Sequence, residues 1–371
     1  MSSRVAIKKE KIKYNERSVS ESILLLFPLF LIVIVLPLII KMRSYHSGLN
    51  IYDWFTYNDT AYDTFLYYKQ WFFVGVCGFI ILIILGRAIL DKKTLKFNKI
   101  FIPIIIYAVL AYVSTLFSKY KTFGFSGSFE QFENVFCLIG YVLVAYYTFI
   151  VIQSQVEVKL MMNALAIGLL IVNTIGALQS IGLDILNTPF MKSAIVGKIM
   201  DPDRLTLVFG KGRSYATLYN PNYVGVLAIM TISVYTVMLM FAKKKYEYVL
   251  YSLLVIMASF SMFGAQFKSG LVYIVVVFVL MIVLLRKVLK QRWFVLAGVW
   301  LTMLIAFFIT NTYSDNAYVD AINGALGAVT PNPTLTQMDT LSDGVSFTYN
   351  GNYVKVTMDK ERNFTLSDAN G

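Results

Sequence analysis

The chain has 371 residues, of which 57% are apolar and 15% charged, with a formal net charge of +12. That balance excludes a pair of water-soluble domains and matches helices surrounded by lipid. Basic residues fall in short clusters between apolar runs, with no stripe of Arg and Lys interleaved with exposed aromatics, so nucleic acid is set aside as a partner.

Residues 1–21 form a basic tail carrying Arg4, Lys8, Lys9, Lys11, Lys13 and Arg17. The apolar run that follows is too long for a secretory h-region and lacks a small-residue cleavage site, so it reads as a retained first helix. The pattern predicts an all-α polytopic membrane protein with about nine transmembrane helices. The spans fall at about 22–40, 71–90, 99–117, 134–153, 160–180, 222–242, 246–265, 270–286 and 293–310, each near the ~20 residues that a bilayer crossing needs.

Lys and Arg in the connections give the orientation. The tail, the 87–99 connection, Lys159, Lys243 to Lys245 and the 286–292 turn hold 19 of the 33 basic residues and 6 of the 21 acidic ones. This set is expected in the cytoplasm with the N-terminus. The long connections 41–70, 118–133 and 181–221, and the segment 311–371, are then extracytoplasmic, and function is expected on that face.

Within 181–221, alternation of Leu205, Leu207 and Phe209 before Gly210-Lys211-Gly212, with β-favouring residues from Arg213 to Tyr219, predicts a small hairpin. The segment 311–371 alternates Val345, Phe347 and Tyr349, turns at Asn350-Gly351, and alternates Val354, Val356 and Met358. A third strand is expected at Phe364 to Leu366. This is the start of a small extracytoplasmic β domain, and the chain reads as a fragment of a longer protein.

Metal and cofactor chemistry find no motif. His46 is the only histidine, no HExxH or Walker-type loop occurs, and Cys77 and Cys137 lie inside apolar spans. No cofactor and no metal is expected. The residues suited to chemistry lie in GKGRSYATLYNPNYVG, 210–225. Asn220 suits a helix cap and Pro221 its first turn. Arg213 and Lys211 stand just ahead of that positive helix end, an arrangement that suits a phosphate and equally suits residues meeting lipid head groups. Lys268-Ser269-Gly270 opens a later helix on the same face, with Ser269 as its expected cap. Glu130 and Glu133 precede the fourth span and suit sugar hydroxyls, a general base or a solvated loop. Asn163, Asn173, Thr174 and Gln179 mark a polar face on the fifth span, expected to hydrogen-bond between helices.

The stretch RSYATLYNPN (213–222) resembles the Arg, Gly-Thr, Asn-Pro-Asn pattern of the O-antigen ligase and polymerase family of bacterial envelope proteins. FSMFGAQFKSG (260–270) stands where that family has a Ser-Arg pair, and GSFEQFENVFCLIGYVL is similar to the segment leading into an earlier helix. The resemblance covers roughly residues 75–310. Ala216 replaces a Gly and Lys268 an Arg. The resemblance implies a membrane glycosyltransferase working without metal or nucleotide. Its donor is a glycan on an undecaprenyl-diphosphate carrier and its acceptor another glycan or a lipid-linked saccharide. It assigns catalytic roles to Arg213 and Lys268, and substrate binding to Lys211, Asn220, Asn222 and Ser269. A lipid-linked oligosaccharide flippase and a non-catalytic envelope protein remain the alternatives.

Overall fold

The computed structural model describes residues 17–46, 60–90, 98–128, 131–207, 209–325, 335–349, 351–359 and 363–368. Arg4 to Lys13, Glu130 and Asn350 lie outside these. The chain divides into two units, Met1–Ser44 with Tyr62–Asp315, and Tyr45–Ala61 with Asn316–Gly371.

In the first unit, α1 (Val19–Phe30) starts at Ser18, whose hydroxyl accepts the Glu21 amide N–H. It continues through a π turn, Leu31–Val35, and a 3₁₀ turn, Leu36–Leu38. Pro37 lacks the N–H that would bond the Val33 carbonyl. Gly168 of the sixth helix abuts that carbonyl, where a Cβ would not fit. The short strands β1 (Arg43–His46) and β2 (Thr60–Asp63), of which Tyr45, His46, Thr60 and Ala61 are assigned to the second unit, form a two-stranded sheet. They lead to α2 (Tyr67–Leu90), α3 (Ile102–Phe117), the short α4 (Lys121–Ser126), α5 (Val135–Val151) and α6 (Gln155–Ser180). After α7 (Pro189–Val196) come α8 (Pro221–Phe241), α9 (Lys245–Gly264), α10 (Ser269–Leu284) and α11 (Arg286–Tyr313).

Seven of the described helices are long and apolar enough to cross a membrane: Val19–Leu38, Tyr67–Ile89, Lys99–Phe117, Gln155–Ser180, Pro221–Phe241, Lys245–Gly264 and Arg286–Tyr313. The expected number was nine. The other two, Val135–Val151 and Ser269–Leu284, are apolar but only 17 and 16 residues long. At 1.5 Å per residue they fall short of a ~30 Å hydrocarbon core. The outer surface of α3 is a field of Ile, Leu, Val and Tyr, including Ile106, Tyr107, Val109 and Leu110, each more than half exposed. Such a surface is stable only against lipid or protein.

The core lies where α9 packs against α6, α8 and α11. Leu254, Ala258 and Met262 of α9 are fully buried. Tyr235 of α8 meets Tyr251 with ring centroids 5.5 Å apart and donates its O–H to the Met162 carbonyl at 2.8 Å. Asn173 donates to Thr231 Oγ1 at 3.4 Å, one polar link between α6 and α8.

The hairpin expected within 181–221 is not formed among the described residues. The segment instead makes a 3₁₀ turn at Ile185–Asn187, the helix α7 and a second 3₁₀ turn at Pro202–Arg204. Its alternating apolar residues bury themselves without cross-strand partners. Leu205 packs with Met42, Ile195 and Val196, and Phe209 stacks on Tyr215 at 4.2 Å.

The second unit contains α12 (Ala317–Ala325) and an antiparallel sheet in the order β3 (Leu335–Leu341), β4 (Gly344–Tyr349), β5 (Asn352–Met358), β6 (Phe364–Ser367). Val345 faces Val356 and Phe347 faces Val354 across the expected hairpin, and Gly351 turns at φ 82°. The strand β3 was not anticipated. Its register shifts between Thr336 and Asp339, around Gln337 at φ 51°, and that irregularity hides the period of two. Buried Tyr318 on α12 has its phenol pushed up to about 12 by burial.

Candidate functional site

The two ends of the helical unit differ. One end gathers short turns. There Glu157 accepts from Arg17 at 3.0 Å through one oxygen, and from the Gln153 and Ser154 amides through the other. Glu247 repeats the arrangement with Lys159 at 2.6 Å and the Lys243 and Lys244 amides. The opposite end gathers the C-termini of α6 and α9, the N-termini of α2, α5, α8 and α10, and the segment 181–220.

That segment is fastened to α6 by Gln179 and by Ser214. The Gln179 Oε1 atom accepts the amides of Tyr215 and Ala216 at 3.1 and 2.7 Å, and its Nε2 donates to Asp184 at 3.0 Å. Asp184 also takes the Tyr215 O–H at 2.5 Å and the Asn187 amide at 2.6 Å. Burial, reinforced by this carboxylate, pushes the Tyr215 phenol well above its usual range. Ser214 donates its hydroxyl to Gly176 O at 2.5 Å and its amide to Gly264 O at 2.8 Å. Ala216 is fully buried at φ 44°, a left-handed conformation that explains why a glycine would be at ease there.

The expected site residues can now be placed. Arg213 follows the turn at Gly210 and is half-buried; its Nε is buried with no hydrogen-bond partner among the described residues. Asn220 caps α8 by accepting the Asn222 N–H at 2.9 Å, with Pro221 in the first turn. Asn222 itself is exposed. Lys211 is exposed and paired with both oxygens of Asp315 at 2.8 Å, its ammonium 5.4 Å from the Tyr313 ring. Lys268 and Ser269 are both exposed. Ser269 is not the cap of α10. The N-cap position falls on Lys268, which is already helical (φ −55°, ψ −47°) and makes no side-chain cap.

The segments carrying Arg213 and Lys268 adjoin. Ser214 is bonded to the last residue of α9, four residues before Lys268, and Ala216, Val224 and Ala265 share one core cluster with Phe267 packed on it. The cations share no hydrogen-bond partner among the described residues.

Reading the sequence alone missed Lys69, Gln70, Gln179's clamp and Asp184. A cavity of about 800 Å³ lies between α1, α2, α5 and the 218–223 stretch, and Lys69, Gln70, Glu133, Tyr141 and Asn220 line it. Lys69 donates to the Thr217 carbonyl. Asp63 caps α2 through the Leu66 and Tyr67 amides at 3.0 and 2.8 Å, and burial raises its carboxyl pKa. Glu133 accepts the Tyr141 O–H at 2.8 Å. The only sequence signal for Lys69 and Gln70 was a polar pair just ahead of an apolar run, which is common at membrane edges.

Comparison with protein-family models, curated proteins and solved structures finds no match to this chain.

Proposed function

We propose that this protein is a membrane glycosyltransferase that moves a glycan from an undecaprenyl-diphosphate carrier to an acceptor glycan or lipid-linked saccharide. The observation that supports it is Arg213, a half-buried guanidinium with an unpartnered Nε, seven residues ahead of the Asn220 cap of α8 and on a segment that adjoins the one carrying Lys268. In this reading the diphosphate meets the guanidinium, the positive end of the α8 dipole and the Lys268 ammonium. As the acceptor hydroxyl attacks the anomeric carbon, the bond to the diphosphate oxygen breaks and the acceptor's proton passes to a base. The cations stabilise the departing charge. Asn220 and Asn222 shape the helix end, and Ser269 offers a hydroxyl to the ligand. Lys211 acts through its field, already shared with Asp315.

The orientation belongs to the same proposal. The end bearing Arg17, Lys159, Lys243 and Arg292 faces the cytoplasm, the short α5 and α10 complete nine crossings, and the Arg213 end and the β sheet are extracytoplasmic.

The test is transfer by protein reconstituted with lipid-linked glycan and acceptor. Arg213→Ala is expected to slow transfer ~10²-fold or more, and Lys268→Ala less. Transfer by Arg213→Ala at the parent rate removes the assigned role. Movement of the donor between leaflets with no transfer replaces the enzyme by a flippase.

A further inference from the structure

The cavity of about 800 Å³ is not explained by the Arg213 end, since neither Arg213 nor Lys268 lines it. Its walls change character along its depth. Along α5 it reaches Ala145, a rise of ~15 Å from the helix start at Val135 at 1.5 Å per residue, with Glu133 just before the helix. The deep part is apolar, with Ile32, Phe73 and Val144 from helices of membrane hydropathy. The shallow part mixes Lys69, Gln70 and Glu133 with Leu36, Leu66 and Phe132.

Three features of the shallow part point to a ligand. The Lys69 ammonium has three N–H donors and, among the described residues, only the Thr217 carbonyl as a hydrogen-bond acceptor, with the Asp63 carboxylate close enough to act on its charge. Gln70 is 5% exposed, donates its amide to Ser126 O at 2.9 Å, and leaves Oε1 without a partner. A buried amide oxygen left so costs ~1–3 kcal/mol unless something donates to it. Glu133 lines the same cavity as a carboxylate that Tyr141 already orients.

An apolar channel headed by a cation with spare donors fits a lipid phosphate. The two acceptors, Gln70 Oε1 and the Glu133 carboxylate, add a condition. They disfavour a head group of high negative charge and favour one that also brings hydroxyl or amine donors. We propose that this cavity binds a monoanionic phosphodiester lipid, with its phosphate on Lys69, the donors of its head group toward Gln70 and Glu133, and its chain along Ile32, Leu36, Phe73 and Val144. The site adjoins the glycan-transfer site at Asn220, which lines the cavity, but its contacts at Lys69, Gln70 and Glu133 do not rest on that reading.

Native mass spectrometry of the delipidated full chain, titrated with dioleoyl phosphatidylglycerol, tests this. One lipid is expected to be retained saturably. Dioleoylglycerol, which lacks the phosphate, and sn-glycerol 3-phosphate, which lacks the chains, are each expected at least ~10-fold weaker. Lys69→Met is expected to lower retention at least ~10-fold and Lys69→Arg to restore most of it. Ala145→Phe fills the deep end without touching the cation and is expected to lower retention by a similar factor. It serves if Lys69→Met fails to fold. Arg213→Ala is expected to keep the lipid while losing transfer, so the two readings fail separately. Parental retention by folded Lys69→Met or by Ala145→Phe overturns the site, and so does equal binding of dioleoylglycerol. Binding of glycerol phosphate as tight as that of the lipid reduces it to an anion site and removes the channel.

Discussion

The two ends of the helical unit treat charge in opposite ways. At the end with short turns, each buried carboxylate meets a cation and two backbone amides, as Glu157 does with Arg17, Gln153 and Ser154. At the other end Arg213 Nε and Gln70 Oε1 are buried with no partner among the described residues, Lys268 is exposed, and Lys69 has one hydrogen-bond acceptor, the Thr217 carbonyl, with the Asp63 charge nearby. Buried charge persists only when compensated. The closed end is compensated internally and is therefore structural. The open end carries donors and acceptors that a ligand can satisfy.

Substitutions can break this contrast, because the first end should cost stability and the second function. Glu157→Ala removes the carboxylate that Arg17, Ser22 and two amides share, leaving Arg17 only the Val151 carbonyl, and is expected to cost ~3–5 kcal/mol in thermal unfolding while the folded fraction keeps its activity. A loss of activity per folded molecule would erase the contrast. Gln179→Leu removes the acceptor of two buried amides that hold the Arg213 segment. The expected loss is ~2–5 kcal/mol, with protease cleavage appearing within 181–220 before the helices unfold. Gly264→Ala presses a methyl group into Ser180 and Ser214 and is expected to cost ~1–3 kcal/mol. Ala216→Gly relieves a left-handed alanine and is expected to raise stability by up to ~1 kcal/mol, leaving transfer unchanged. Lys268→Ala is expected within ~0.5 kcal/mol of the parent in stability but slower in transfer, which sharpens the comparison most simply. A destabilised Lys268→Ala would move that lysine to the structural class.

Much of this was legible locally. The apolar runs mark every long helix, because a helix in lipid satisfies its own backbone and needs only length and hydropathy. The Asn220-Pro221 start of α8 follows from side-chain capping within two residues. The β4–β5 hairpin follows from alternation about a tight turn. Local signals failed where long-range partners compete. The alternation at Leu205, Leu207 and Phe209 pointed to a hairpin, yet those side chains found Met42, Phe65 and Tyr215 instead. Ser269 had the composition of a cap, yet it is itself the first residue of α10 and Lys268 before it is already helical.

The sequence by itself determined that the chain is a set of apolar helices with basic short turns and a small sheet, since hydropathy, capping and strand alternation act over a few neighbouring residues. Only the tertiary structure decided that Gln179 clamps the Arg213 segment, and that Lys69 and Glu133 line one cavity although 64 positions separate them. Whether a buried polar atom is satisfied depends on what distant chain segments bring to it, and no local pattern records that.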